Sequence, residues 1–92
     1  MITMTRKEAT VLRLLQTNGE MDGLRMVYAA PETLKRVYIY QTLAAMEEKG
    51  WIVAEIKIPN DAYTPARRHY SITPQGAVIH ADGVIAKMED EA

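Results

Sequence analysis

Seven side chains in this sequence carry groups suited to a polyanion: Lys35, Arg36, Tyr38, Tyr40 and Gln41 in one stretch, then Arg67 and Arg68 side by side further on. Ammonium and guanidinium groups neutralise phosphates and fix the register of a protein on a duplex. A Gln amide can pair in bidentate fashion with an adenine edge, and Tyr38 can reach base edges beside it. Catalytic chemistry is poorly served by comparison. His69 and His80 are isolated, with no metal-ligand spacing and no Ser-His-acid arrangement, so both are expected to be structural. Glu47 and Glu48 are neighbours on a predicted helix and diverge by about 100°, so they do not share a small reaction centre easily. There is no cysteine, which excludes disulfides, thiolate metal sites and a cysteine nucleophile. No enzyme activity, cofactor or metal is expected.

The elements that must hold these groups are legible from spacing. Thr5 with Glu8 forms a capping-box pattern, and Val11, Leu12 and Leu15 follow at helical intervals, which predicts a first helix over 5–17. Asn18-Gly19 ends it. A short second helix is expected over 22–29, broken by Ala30-Pro31. A third is expected over 33–49, with Ile39, Leu43 and Met46 on its core face, Val37, Tyr38, Gln41 and Ala45 opposite, and Tyr40 to one side. This places Lys35 and Arg36 in its first turns. Gly50 closes it. "WIVAEIKI", residues 51–58, alternates as a half-buried strand, "PNDAYTPA" is turn chemistry, and "RRHYSI" returns as a second strand. Trp51 is expected to be packed. Thr73-Pro74 then starts a fourth helix, predicted to run to Met88, with Gly83 in its interior signalling close packing or a bend.

Length and charge bound the rest. Ninety-two residues make one small domain, whose modest core would gain from a partner subunit. The net charge of −1 alone gives no hint of nucleic acid, but it is unevenly spread. Residues 1–76 hold ten Lys/Arg against eight Asp/Glu, whereas residues 77–92 hold one Lys against four acids. A mildly acidic chain can therefore still present a basic face. No apolar run is long enough to span a membrane, and "MITMTRKEAT" lacks the apolar segment of a secretory signal, so a cytoplasmic location is expected.

Three helices, a two-stranded hairpin and a last helix form the order of a winged helix–turn–helix, mostly α with a small β-hairpin, in which the third helix enters a DNA groove and the hairpin is the wing. "YQTLAAMEEKGWIVAEI" and "RRHYSITPQG" closely resemble the PadR-like family of bacterial winged-helix regulators. Tyr40, Leu43 and Met46 occupy the aromatic-x-x-Leu-x-x-Leu positions, with Met replacing Leu. Glu47, Glu48, Gly50 and Ile52 follow, and Arg67, Tyr70, Thr73, Pro74 and Gly76 match the wing and the last helix. Lys35-Arg36-Val37-Tyr38 stands where the family usually has a small Ser-x-Gly-Thr turn. With one helix after the wing, no further effector domain is expected.

The resemblance implies a DNA-binding unit over 1–72 and a C-terminal helix with an acidic tail over 73–92. It also implies a sequence-specific transcriptional regulator, a repressor, on double-stranded DNA, and the placement of the residues themselves points to Lys35, Arg36, Val37, Tyr38, Tyr40, Gln41, Arg67 and Arg68 as its contacts. Ala77, Ala81, Val84, Ile85 and Met88 recur at helical spacing, with Ile79 on the other side, and predict a homodimerisation stripe on a pseudo-palindromic site. The rival expectation is a winged-helix protein–protein adaptor with weak or no DNA binding.

Overall fold

The computed structural model describes residues 2–61 and 63–85. A short strand, β1 (Thr3–Met4), leads into α1 (Arg6–Asn18), which is followed by β2 (Met21–Asp22) and α2 (Gly23–Ala29). Then come α3 (Ile39–Glu48), the hairpin strands β3 (Ile52–Lys57) and β4 (Arg67–Ile72), α4 (Pro74–Asp82) and β5 (Val84–Ile85). The sheet runs β2-β4-β3, all antiparallel, with Met21 opposite Tyr70 and Ile52 opposite Ile72. β1 and β5 pair separately and in parallel. This is a winged helix–turn–helix with β3 and β4 as the wing.

The caps predicted at Thr5 and Thr73 form. The Thr5 hydroxyl accepts the Glu8 N–H at 3.0 Å, and the Glu8 carboxylate accepts the Thr5 N–H at 2.9 Å. The second Glu8 oxygen lies 2.6 Å from the Lys49 ammonium at the end of α3, so this buried carboxylate is fully engaged. Asp22 caps α2 and Thr73 caps α4. The core is built from Val11, Leu12 and Leu15 of α1, Met26 of α2, and Ile39, Leu43 and Met46 of α3, closed by Leu34, Trp51, Ile52, Tyr70 and Ile79. The predicted inward face of the third helix is therefore the observed one, and Trp51 is packed as expected.

Two helix boundaries differ from expectation. The third helix starts at Ile39 rather than at residue 33, so Lys35, Arg36, Val37 and Tyr38 precede it. The Leu34 N–H donates to the Ala30 carbonyl at 2.8 Å and its side chain enters the core; a second turn follows, in which the Ile39 N–H donates to the Lys35 carbonyl at 3.0 Å. Burying Leu34 takes up the chain in two turns, and the β-branched and aromatic run Val37-Tyr38-Ile39 gives little support to a longer helix. Tyr38 opens α3 with no side-chain cap.

The fourth helix stops at Asp82 rather than at Met88. Gly83 is extended, and a Cβ there would lie 2.9 Å from the Met4 methyl carbon and 2.6 Å from the Ile79 carbonyl. The chain turns against β1, and the β-branched pair Val84-Ile85 continues as a strand, with the Val84 N–H donating to the Ile2 carbonyl at 3.0 Å. Val84 and Ile85 thus leave the helical stripe assigned to them, and Met88 lies outside the described residues. On α4 itself Gly76 and Ile79 face inward, Ala77 is half-buried and Ala81 exposed.

Candidate nucleic-acid interface

The start of α3 and the return strand of the wing face each other across a groove. α3 buries Ile39, Leu43 and Met46, which leaves Tyr40, Gln41, Ala44, Ala45 and Glu48 exposed. Tyr40 leans toward α2, where a Cβ on Gly23 would come within 2.9 Å of its ring. That close approach explains a glycine as the first residue of α2. Tyr40, Leu24, Asp22, Pro65, Ala66, Arg67 and Arg68 line a cleft of about 410 Å³. The structure therefore brings Tyr40, Arg67 and Arg68 together, from residues far apart in the chain.

The turn before α3 carries a second set of cations. Lys35, Arg36 and Val37 are exposed, Val37 at 84%. The Lys35 ammonium donates to the Pro31 carbonyl at 2.6 Å, which ties its side chain across its own turn. Arg36 makes no ion pair among the described residues. Tyr38 is half-buried beneath Lys7 of α1, whose ammonium stands 4.3 Å from the ring centroid. Tyr38 therefore anchors the turn to α1, a role its sequence position did not reveal.

Acidic partners are the part of this surface that sequence reading missed. Arg67 lies 3.9 Å from Asp22, and Arg68 lies 3.8 Å from Glu47. Glu20 stands between Lys57 at 3.0 Å and His69 at 3.6 Å, and it holds the Lys57 ammonium above its ordinary pKa. Burial pushes the Tyr70 hydroxyl up, with Glu47 adding to the shift and Arg68 opposing it. A signal for Glu47 was available: seven positions after Tyr40, it lies within about 20° of the same helix face. Asp22 and Glu20 gave none, because they reach β4 through a strand of two residues.

The wing projects beyond the core. Ile52 is buried and Ala54 half-buried, but Ile56 and Ile58 are exposed, against the alternation expected of them. The tip is ordered locally by Asp61, which accepts hydrogen bonds from the N–H groups of Tyr63 and Thr64 and from the Thr64 hydroxyl. These bonds, that from the Thr64 hydroxyl foremost, hold the Asp61 carboxyl below its ordinary range. Tyr63 is exposed beside it. Among the described residues no group of three or more His, Asp or Glu is placed to hold a metal ion, and no helix is long and apolar enough to cross a membrane.

Among solved structures, the chain is similar to Bacillus subtilis PadR in complex with operator DNA, at a TM-score of 0.72 and 22% identity, over 82% of this chain and 44% of that one. It is similar to a PadR family transcription regulator from hypervirulent Clostridium difficile, at 0.69 and 20% identity over 82% of this chain and 79% of that one. The circadian clock associated protein Pex from Anabaena matches at 0.67 and 18% identity, over 98% of this chain and 81% of its own. No family profile and no curated protein matches the sequence. The likeness establishes the fold, a winged helix–turn–helix of the kind seen in PadR regulators, and the chain spans less than half the length of the Bacillus subtilis protein.

Proposed function

We propose that the chain is a PadR-like, sequence-specific DNA-binding transcriptional regulator acting as a repressor in the cytoplasm. The observation that carries this reading is the groove in which the exposed start of α3 faces the wing arginines, on a fold shared with a regulator solved on its operator. In this reading α3 enters the major groove, with Gln41 and Tyr40 reaching base edges and Val37 meeting apolar groups there. Lys35 and Arg36 neutralise phosphates beside the helix start, and Arg67 and Arg68 track the backbone from the wing. Selection from randomised duplexes tests it. Gln41→Ala should cost about 1–3 kcal/mol at the bases it reads and relax preference there, while Arg67→Ala should weaken all sequences about equally. A selected-site profile untouched by Gln41→Ala would place reading on another face. No enrichment of any duplex would favour a protein–protein adaptor.

A second copy completes the reading. Ile2, Val78, Val84 and Ile85 are exposed apolar side chains at or near the β1–β5 pair and on α4, with Ala81 exposed between them in sequence. Ala77, Ala81, Val84 and Ile85 are proposed to form a homodimer contact, which would present two reading helices to a pseudo-palindromic site. Ile85→Glu should dissociate the dimer, because a carboxylate buried in an apolar contact costs several kcal/mol unless neutralised. Sedimentation velocity checks this; a variant that stays dimeric, or a monomeric wild type, would remove the contact from the proposal.

A further inference from the structure

We infer that Asp22 and Glu47 act as built-in competitors of DNA phosphate, holding Arg67 and Arg68 at rest and setting how weakly the protein binds DNA of arbitrary sequence. This rests on the DNA-binding reading above. Each wing arginine has its own carboxylate: Asp22 at the start of α2 for Arg67, and Glu47 on α3 for Arg68. The partners differ in freedom. The arginine side chains are 49% and 57% exposed, whereas the carboxylates are 14% and 32% exposed. Asp22 is further fixed by its other oxygen, which accepts the Arg25 N–H at 2.8 Å. Asp22 thus lines the groove itself, Glu47 is held on α3, and both are less exposed than the guanidinium groups they face.

Separations of 3.8 and 3.9 Å are charge contacts rather than hydrogen bonds, so they break without loss of a directed bond. A phosphate arriving from solvent can draw each arginine outward. The carboxylates stay behind, so each arginine gives up one charge contact to make the other. Binding of arbitrary sequence, which depends almost wholly on phosphate contacts, is therefore held down. A preferred site compensates through base contacts made by α3.

The test uses the full chain and a random-sequence duplex. Asp22→Asn retains the helix cap, since Asn caps as well as Asp, and Glu47→Gln keeps size. The double variant should bind the random duplex about three- to tenfold more tightly at low salt. It should also show a steeper fall of affinity with salt. The gain should vanish when Arg67→Gln and Arg68→Gln are already present, because the acids then have no arginine to hold. Glu48→Gln with Asp82→Asn, which removes the same charge elsewhere, should give a much smaller gain. Unchanged or weaker binding, or a gain that persists without the arginines, overturns the inference while leaving the DNA-binding reading intact. Failure of both wild type and double variant to bind any duplex at low salt overturns both. Binding by the double variant alone supports the competitor role in its strongest form.

Discussion

Gly76→Ala should destabilise the fold by roughly 3–5 kcal/mol, above the usual 1–3 kcal/mol for an overfilled site, because the obstruction is backbone. A Cβ on Gly76 would lie 2.0 Å from the Trp51 carbonyl oxygen and 3.0 Å from the Ile72 side chain. That carbonyl is already the meeting point of the junction: it accepts the Thr73 N–H at 3.1 Å and lies 3.0 Å from the Thr73 hydroxyl, which is shared with the Gly50 carbonyl at 2.7 Å. The Gly76 N–H in turn donates to the Thr73 oxygen at 2.9 Å. Moving α4 away would break these bonds together. A melting temperature lowered by well over 10 °C is expected, at about 4–8 °C per kcal/mol for a domain of this size. Thermal unfolding followed by circular dichroism checks it, with Gly23→Ala as the contrast. There the three atoms nearest the added carbon all belong to the far end of the Tyr40 side chain, which can give way, so the loss should be smaller.

DNA affinity should fall steeply with salt. If Lys35, Arg36, Arg67 and Arg68 each neutralise a phosphate, the slope of log affinity against log salt should be about −3.6, or roughly a hundredfold loss between 50 and 200 mM. The measurement is fluorescence anisotropy on one duplex across a salt series. A flat response would deny phosphate contact by these groups. A slope nearer −2 would assign the contacts to the turn before α3 alone, with the wing arginines still held by Asp22 and Glu47.

What could be read in advance follows from the physics of each element. Ile39, Leu43 and Met46 sit at the intervals that a buried helix face demands, so the orientation of α3 was legible, as were the capping box at Thr5 and the Thr73-Pro74 start of α4. The strands β1, β2 and β5 were not, because two residues cannot display a period of two. Their pairing depends on distant backbone, and with it went the end of α4 and the place of Val84 and Ile85. The start of α3 was misplaced because Leu34 continues the apolar spacing while its burial is met by a turn. In the candidate interface, residue types pointed to the cations and helical spacing to Glu47, but nothing local disclosed Asp22 and Glu20, which β4 meets on folding. Charge counts along a chain register how many acids there are, not which cation each one faces.

The Glu8–Lys49 contact ties the first turn of α1 to the residue that ends α3, and the β1–β5 pair adjoins that same turn of α1. Helix α3 is therefore tied at its rear to the place where the two ends of the described chain meet. Its forward end carries no side-chain cap and rests on Tyr38 under Lys7, also from α1. One helix, α1, thus holds both ends of α3. The 84–85 strand is thus linked to α3 through β1 and α1, two elements separated by Thr5 alone.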